Sequence, residues 1–357
     1  MKKLKLAIIG QGRSGKNIHG KFYLSERNKY FDVGYVVDAD PAMRERVRDL
    51  YAGCTVLSDY TELFGHDDID LVVNASYSDM HYPITKDLLE HGFNVLTEKP
   101  FAKTYFECET LINTAKKNGK VLAVFQNTQH APFYLDALKK AYDGTLGDVK
   151  QISIRYNAFA RRWDWQTLQK KVGGSAYNTG PHPIAMALGF LGFDENVRVE
   201  YSKLDTALTS GDAEDYVKII LTAPGKPVVD IEMNSIDAFS DYNLKLQGSR
   251  GTFKSTPRAY KMKYIVEGEN PPRPVIEESL RNEEGMPVYC SEKLVAHEEE
   301  GEYDGTAFDV GTAKIYEEVY YAITEGKPLT VTCEQAAQVI RVIETTHAIS
   351  PLPVKYI

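Results

Sequence analysis

Short unbroken apolar runs alternate with stretches of helical spacing through the first third of the chain. KLAIIG (5–10), DVGYVVD (32–38), LVVNAS (71–76), NVLTEKP (94–100) and KVLAVFQ (120–126) each have the length and continuity of a strand buried on both faces. A helix is expected from the glycine turn after the first run to about Glu26, with others over 41–51, 81–92 and around 104–118. Pro41 and Pro83 fall in first turns, where the missing N–H is no loss, and Gly92 supplies a stop. Alternation of this kind predicts βαβ units and a doubly wound, mostly parallel sheet.

From about residue 148 the texture changes. The runs 149–159, 214–223, 226–234 and 242–249 follow one another with turn residues and few helices between them, which predicts an open, mostly antiparallel sheet. The stretch 255–307, with Pro271, Pro272 and Pro274, reads as excursions beyond that sheet, and its acidic cluster HEEEGE (297–302) as a solvated loop. Two helices, roughly 309–325 and 333–348, close the chain. The expectation is two domains: residues 1–125, α/β, and residues 126–357, α+β.

Composition narrows the class. With 357 residues, 43% of them hydrophobic, the chain supports a large core. The net charge of -8, without a basic stripe, argues against a nucleic-acid partner. No run reaches the roughly 18 apolar residues of a membrane span. The start MKKLKLAIIGQG imitates a signal peptide, but its apolar run ends at Gly10, too soon for one. Cys54, Cys108, Cys290 and Cys333 are scattered without zinc-like spacing, so no metal site is expected and a reducing, cytoplasmic setting fits.

GQGRSG (10–15) is a complete GxGxxG that follows a strand and opens a helix, the context in which it signals a dinucleotide. Gly10 makes the turn, Gly12 admits the pyrophosphate, and Gly15 lets helix and strand approach; Arg13 and Ser14 lie between them at the phosphates. Asp38 ends the second strand, about 20 residues on, where a carboxylate accepts from the adenosine ribose and repels a 2′-phosphate. NAD is therefore expected over NADP. Arg44 and Arg46 on the next helix read as its solvated face.

Ligands bind beyond the carboxyl ends of such strands. That rule puts Lys99 and Glu98 of TEKPF at the mouth of the cofactor crevice, with Ser76, Tyr77 and His81 of NASYSDMH where a nicotinamide would lie, and Gln126 as a further polar contact. His182, between Pro181 and Pro183, precedes an apolar helix running to Gly192. A helix N-terminus disfavours positive charge and so lowers an imidazole pKa. A neutral imidazole is what a general base needs.

These residues resemble the Gfo/Idh/MocA oxidoreductases, the family of glucose–fructose oxidoreductase and inositol dehydrogenase. The likeness covers nearly the whole chain and is carried by GQGRSG, Asp38, ASYSDMH (75–81), VLTEKPFA (95–102) and GGSAYNTGPH (173–182). It implies an NAD-binding Rossmann domain, a substrate domain with an open sheet, and homodimers or homotetramers formed through that sheet. It also implies that Lys99 hydrogen-bonds the reacting oxygen and that His182 takes the hydroxyl proton as hydride leaves for NAD.

One position departs from the family pattern. An Asp is usual four residues before the histidine; here it is Asn178, which cannot carry charge or act as a base. If that Asp only orients a substrate hydroxyl, Asn178 serves in its place, beside Thr179. The preceding segment FARRWDWQTLQKKVGGS (159–175) holds both tryptophans, Trp163 and Trp165, next to Arg161 and Arg162, a composition suited to a sugar as well as to packing. Tyr156 and Tyr177 are candidates for the same wall. The leading expectation is an NAD-dependent dehydrogenase of a sugar, glycoside or cyclitol. The alternatives are a glycosidase or epimerase that recycles bound NAD, and a non-catalytic NAD- or sugar-binding regulator.

Overall fold

Six strands lie side by side in one parallel sheet: β1 (Leu4–Ile9), β2 (Phe31–Val37), β3 (Thr55–Leu57), β4 (Leu71–Asn74), β5 (Val95–Thr97) and β6 (Leu122–Val124). The computed structural model describes residues 2–356. The strand order is β3-β2-β1-β4-β5-β6, so β1 pairs with both β2 and β4 and the winding reverses there. The carboxyl ends of β1 and β4 are therefore the switch point, the place where doubly wound sheets bind their ligands. β3 is a short, partly exposed edge strand, and its sequence lacks the apolar run that marks the others.

Both faces of this sheet are covered, and the far end of the chain supplies part of the cover. Leu6, Ile8, Val73 and Leu96 pack with Phe22, Tyr316 and Val319, the last two from the helix Thr312–Glu325. Ala7, Ile9, Val72 and Val95 face the opposite side, toward Leu88 and Leu111. The helix Cys333–Ile349 runs against the helix Tyr105–Asn118 and also against the second sheet.

The second sheet has eight strands: β7 (Val149–Arg155), β8 (Arg198–Asp205), β9 (Tyr216–Thr222), β10 (Val228–Asn234), β11 (Leu244–Gly248), β12 (Gly251–Ser255), β13 (Ala259–Tyr264) and β14 (His297–Glu302). Their order is β14-β13-β12-β11-β7-β10-β9-β8, antiparallel except for the β7–β10 pair. β9 shows the alternation of a sheet covered on one side: Val217, Ile219 and Leu221 are buried, while Lys218 on the other face pairs with Asp230 and Glu232.

The HEEEGE cluster is not a loop. It forms edge strand β14, because Glu298 and Glu300 stand directly opposite Lys263 and Lys261 of β13 and pair with them at 2.6 and 2.9 Å. The segment 255–307 therefore extends the sheet at both of its ends and leaves it only between β13 and β14. The helix Pro132–Tyr142 is a further element that the apolar pattern did not mark.

Candidate active site

The glycine loop divides its labour. Gly10 has φ +88°, and a Cβ there would lie 2.5 Å from the Ala75 carbonyl oxygen; a Cβ on Gly15 would lie 1.8 Å from the Gly10 carbonyl oxygen. Both glycines are needed to close strand against helix. A Cβ on Gly12 would meet nothing within 4 Å, so the fold itself does not require that glycine. Its open side, and the buried Gln11 Oε1 and Gln126 Oε1 without partners among the described residues, fit a dinucleotide entering over the loop.

Asp38 is held at the end of β2 by the backbone N–H groups of Gln11 (2.7 Å) and Asp40 (2.9 Å). Arg44 is not part of a solvated face: it is half-buried and donates to the carbonyls of Asp38 (2.7 Å) and Ala39 (2.9 Å). Arg46 is exposed, as expected.

Beyond β5, Glu98 is buried and directed away from solvent. It accepts from the Lys99 backbone N–H at 3.0 Å and meets His19 Nε2 at 3.2 Å; His19 Nδ1 in turn contacts the Tyr316 hydroxyl at 2.7 Å. Burial alone would raise the Glu98 carboxyl, but the His19 hydrogen bond and the charges around it bring it down to about 2. Glu98 thus braces the lysine loop instead of reaching out to a cofactor hydroxyl. His81 is also a brace: it is buried, with Nδ1 2.7 Å from the Pro100 carbonyl. The Lys99–Pro100 peptide is cis.

Lys99 Nζ donates to the backbone carbonyl of Asn178 at 2.6 Å, which joins the segment after β5 to the one that precedes His182. Burial pushes the ammonium below its ordinary 10.5, Glu98 works against this, and Arg13 and Arg162 add to it. The loop that carries Asn178 turns at Gly174, φ +99°, whose missing Cβ makes room for the buried Glu214 carboxylate; Glu214 accepts from the Ala176 N–H at 2.9 Å. Pro181 is the first residue of the helix Pro181–Phe190, which places His182 in its first turn. Burial, with the Lys99 charge second, pushes the imidazole down to about 3, while Glu98 works against this. Its Nδ1 lies 3.1 Å from the Thr128 hydroxyl.

The tryptophan segment folds over this centre only in part. Trp165 meets Tyr77 edge-on at 4.9 Å between ring centroids, and Lys171 pairs with Asp79 at 2.7 Å, so the segment is clasped to the loop after β4. Arg162 pairs with Asp164 and reaches Gln166, which donates to Asn178 Oδ1 at 2.9 Å. Trp163 is 74% exposed and Arg161 is exposed as well. Tyr177 is not part of any wall: it is buried against His347 and donates to the Lys103 carbonyl. Tyr156 is half-buried, with its hydroxyl on the Met186 sulfur. Thr179 and Ser76 are half-buried, and Ser76 donates to Asn74 Oδ1.

Comparison with known proteins decides the family. Residues 4–126 match the Gfo/Idh/MocA family model described as an oxidoreductase family with an NAD-binding Rossmann fold, and residues 139–348 match its C-terminal alpha/beta domain. The chain belongs to the Gfo/Idh/MocA oxidoreductases. It is similar to scyllo-inositol 2-dehydrogenase (NADP(+)) IolW of Bacillus subtilis, 24% identical over 96% of this chain and 92% of that one. D-glucoside 3-dehydrogenase of Escherichia coli is 28% identical over 53% of this chain and 54% of its own. The structure of GenD2 from gentamicin A biosynthesis, in complex with NAD, shares the fold at TM-score 0.77 and 20% identity, covering 98% of this chain and 95% of that one.

The oxidoreductase is an enzyme of an NAD-binding family, with sugar and inositol dehydrogenases among its relatives. No helix among the described residues is long and apolar enough to cross a membrane. Sequence reasoning missed His19, Thr128, Gln166 and Glu214. Each is one polar residue without a motif of its own, and its role arises only from what the fold brings beside it.

Proposed function

We propose that this oxidoreductase transfers a hydride between NAD and a secondary alcohol or ketone of a sugar, glycoside or cyclitol. Residues 1–125 hold the cofactor and residues 126–357 the substrate, with GQGRSG at the pyrophosphate and Asp38 at the adenosine ribose. Bound NAD supplies the hydride acceptor. Lys99 holds the reacting oxygen with its ammonium, and His182 takes the hydroxyl proton at the ring nitrogen not turned to Thr128. The observation that carries this reading is the pairing of a half-buried ammonium with a neutral imidazole around Asn178, at the carboxyl end of the sheet. One group donates a hydrogen bond to an oxygen; the other accepts its proton. NADP is disfavoured by the Asp38 carboxylate. We place the working enzyme in the cytoplasm as a homodimer or homotetramer.

The test is formation of reduced nicotinamide with a panel of sugars, glycosides and inositols, with His182→Ala alongside. The expected result is turnover with one substrate class, reduced about 10²–10⁴-fold in the variant. Silence across the panel from folded, NAD-loaded protein refutes a simple dehydrogenase. If NAD co-purifies and resists dialysis as well, transient oxidation with internal recycling takes its place.

A further inference from the structure

His19 is fully buried, and both of its ring nitrogens have polar partners. It stands on Gly15–Gly20, the helical segment that follows the glycine loop. This segment is a π-helical turn, in which the Lys21 N–H reaches back to the Lys16 carbonyl. Turns of that width are rare and are frequent at functional sites. The imidazole meets Phe125 edge-on, 4.5 Å between ring centroids. Nδ1 lies 2.7 Å from the Tyr316 hydroxyl, which is itself hydrogen-bonded to the Tyr23 hydroxyl. Nε2 lies 3.2 Å from Glu98 Oε1.

Glu98 is where this network meets the reacting centre. Its oxygens are divided: Oε2 accepts the Lys99 backbone N–H at 3.0 Å, and Oε1 is left to His19. Among the described residues no other group donates to this carboxylate. On the far side of Lys99, His81 holds the Pro100 carbonyl at 2.7 Å. A buried carboxylate with one oxygen unpaired would turn or take a proton, because an uncompensated buried charge is costly. In the first case the Lys99 N–H loses its acceptor; in the second it loses a charged one.

We infer that His19 is a positioning residue for hydride transfer: by holding Glu98 turned inward it sets the main chain of Lys99, and so the place at which the ammonium meets the substrate oxygen. This rests on the reading of Lys99 as the group that holds the reacting oxygen. The segment that follows the cofactor loop thereby supports the lysine, and Tyr316 supports the histidine.

The experiment compares the NAD-loaded wild type with His19→Leu, which cannot bond Glu98, and with His19→Gln, whose amide can donate to Glu98 as the imidazole does. Kinetics are measured with myo-inositol, D-glucose and methyl D-glucoside. A second readout needs no substrate: exchange of the Lys99 amide hydrogen in protein carrying isotopically labelled lysine, the signal being assigned by its loss in Lys99→Arg. His19→Leu is expected to lower kcat about 10- to 150-fold, the scale of a hydrogen bond to a charged group, while the NAD Kd stays at the wild-type value. Exchange at Lys99 should quicken at least about tenfold. His19→Leu should also acquire an acid limb in kcat that the wild type lacks. The titratable groups facing Glu98 are His19, Lys99, His81 and Tyr316. Without His19, burial raises the carboxyl against the Lys99 charge, and it takes up a proton as the pH falls. That limb should vanish in His19→Leu combined with Glu98→Gln, because an amide does not titrate. His19→Gln should restore kcat, slow exchange and the flat profile. If His19→Leu does not fold, His19→Asn takes its place: the shorter amide can stand where Nδ1 stands, beside Tyr316, but does not reach Glu98.

Wild-type kcat in the folded Leu or Asn variant would overturn the inference. So would a loss that is the same at every pH and is not reversed by glutamine, since lost packing alone gives that result. Absence of turnover by the wild type would refute the dehydrogenase. Exchange then decides the brace on its own: quickening that His19→Gln reverses upholds it, and unmoved exchange overturns it.

Discussion

Gly12 and Gly15 belong to one motif, yet alanine at the two positions should produce opposite phenotypes. At Gly15 the new Cβ would lie 1.8 Å from the Gly10 carbonyl oxygen, well inside any real contact, and the obstacle is backbone. Strand β1 and the helical segment after it would have to separate. Forced overpacking of this kind costs about 1–3 kcal/mol and sometimes more, so Gly15→Ala should unfold several degrees lower even without cofactor. At Gly12 the new Cβ would meet nothing within 4 Å. Gly12→Ala should therefore keep the wild-type melting temperature to within a degree or two in the absence of NAD. Its effect should appear on addition of NAD, because the methyl group occupies the approach to the pyrophosphate. Losing one charge-assisted hydrogen bond there costs about 1.5–3 kcal/mol, roughly a 10- to 150-fold weaker Kd. Thermal unfolding with and without NAD, together with calorimetric titration, reads both effects. At 100 times its Kd, NAD should stabilise the wild type by about 2.7 kcal/mol, and at the same concentration Gly12→Ala should retain only a fraction of this. Wild-type NAD affinity in folded Gly12→Ala would refute the placement of the pyrophosphate over this loop.

Two further outcomes follow from the same geometry. The pH dependence of kcat/KM should lack an acid limb from His182 between about pH 5 and 8, because an imidazole pushed down to about 3 is already neutral there. It should instead decline on the alkaline side before the ordinary lysine value of 10.5, as the depressed Lys99 ammonium loses the proton with which it holds the substrate oxygen; an acid limb near neutrality that disappears in His182→Gln would contradict this. Glu214→Ala leaves the Ala176 N–H without its acceptor and removes the carboxylate facing His347, so urea unfolding should show a loss of about 2–4 kcal/mol. NAD affinity should survive that change, since the contacts of Glu214 are to Ala176 and His347 and not to the glycine loop.

Much of the molecule was legible in one dimension, and the exceptions have physical reasons. Strands β1, β2, β4, β5 and β6 announce themselves because burial on both faces demands an apolar run. β3 does not, because it is a partly exposed edge, whereas β6 at the opposite edge is buried and keeps its run. The HEEEGE segment looked like solvated loop because its charges have partners only on the neighbouring strand. The places of GQGRSG, Asp38, Lys99 and His182 in the fold were legible because each stands at the end of a strand or the start of a helix. His81 and Glu98 were legible as polar residues in the right loops, but their direction was not: both turn inward to brace the lysine.

The sequence by itself determined the two-sheet architecture, the cofactor loop and the pair of catalytic candidates, since each depends on local spacing and on backbone chemistry confined to a few residues. Only the tertiary structure decided how the parts act on one another. It brought Tyr316 beneath His19 and Glu98 from the far end of the chain, and it buried His182 near the Lys99 charge, which keeps the imidazole neutral. It also joined Arg162, Gln166 and Asn178 into one chain of hydrogen bonds. Desolvation and the direction of a hydrogen bond depend on neighbours distant in sequence, and folding alone puts those neighbours in place.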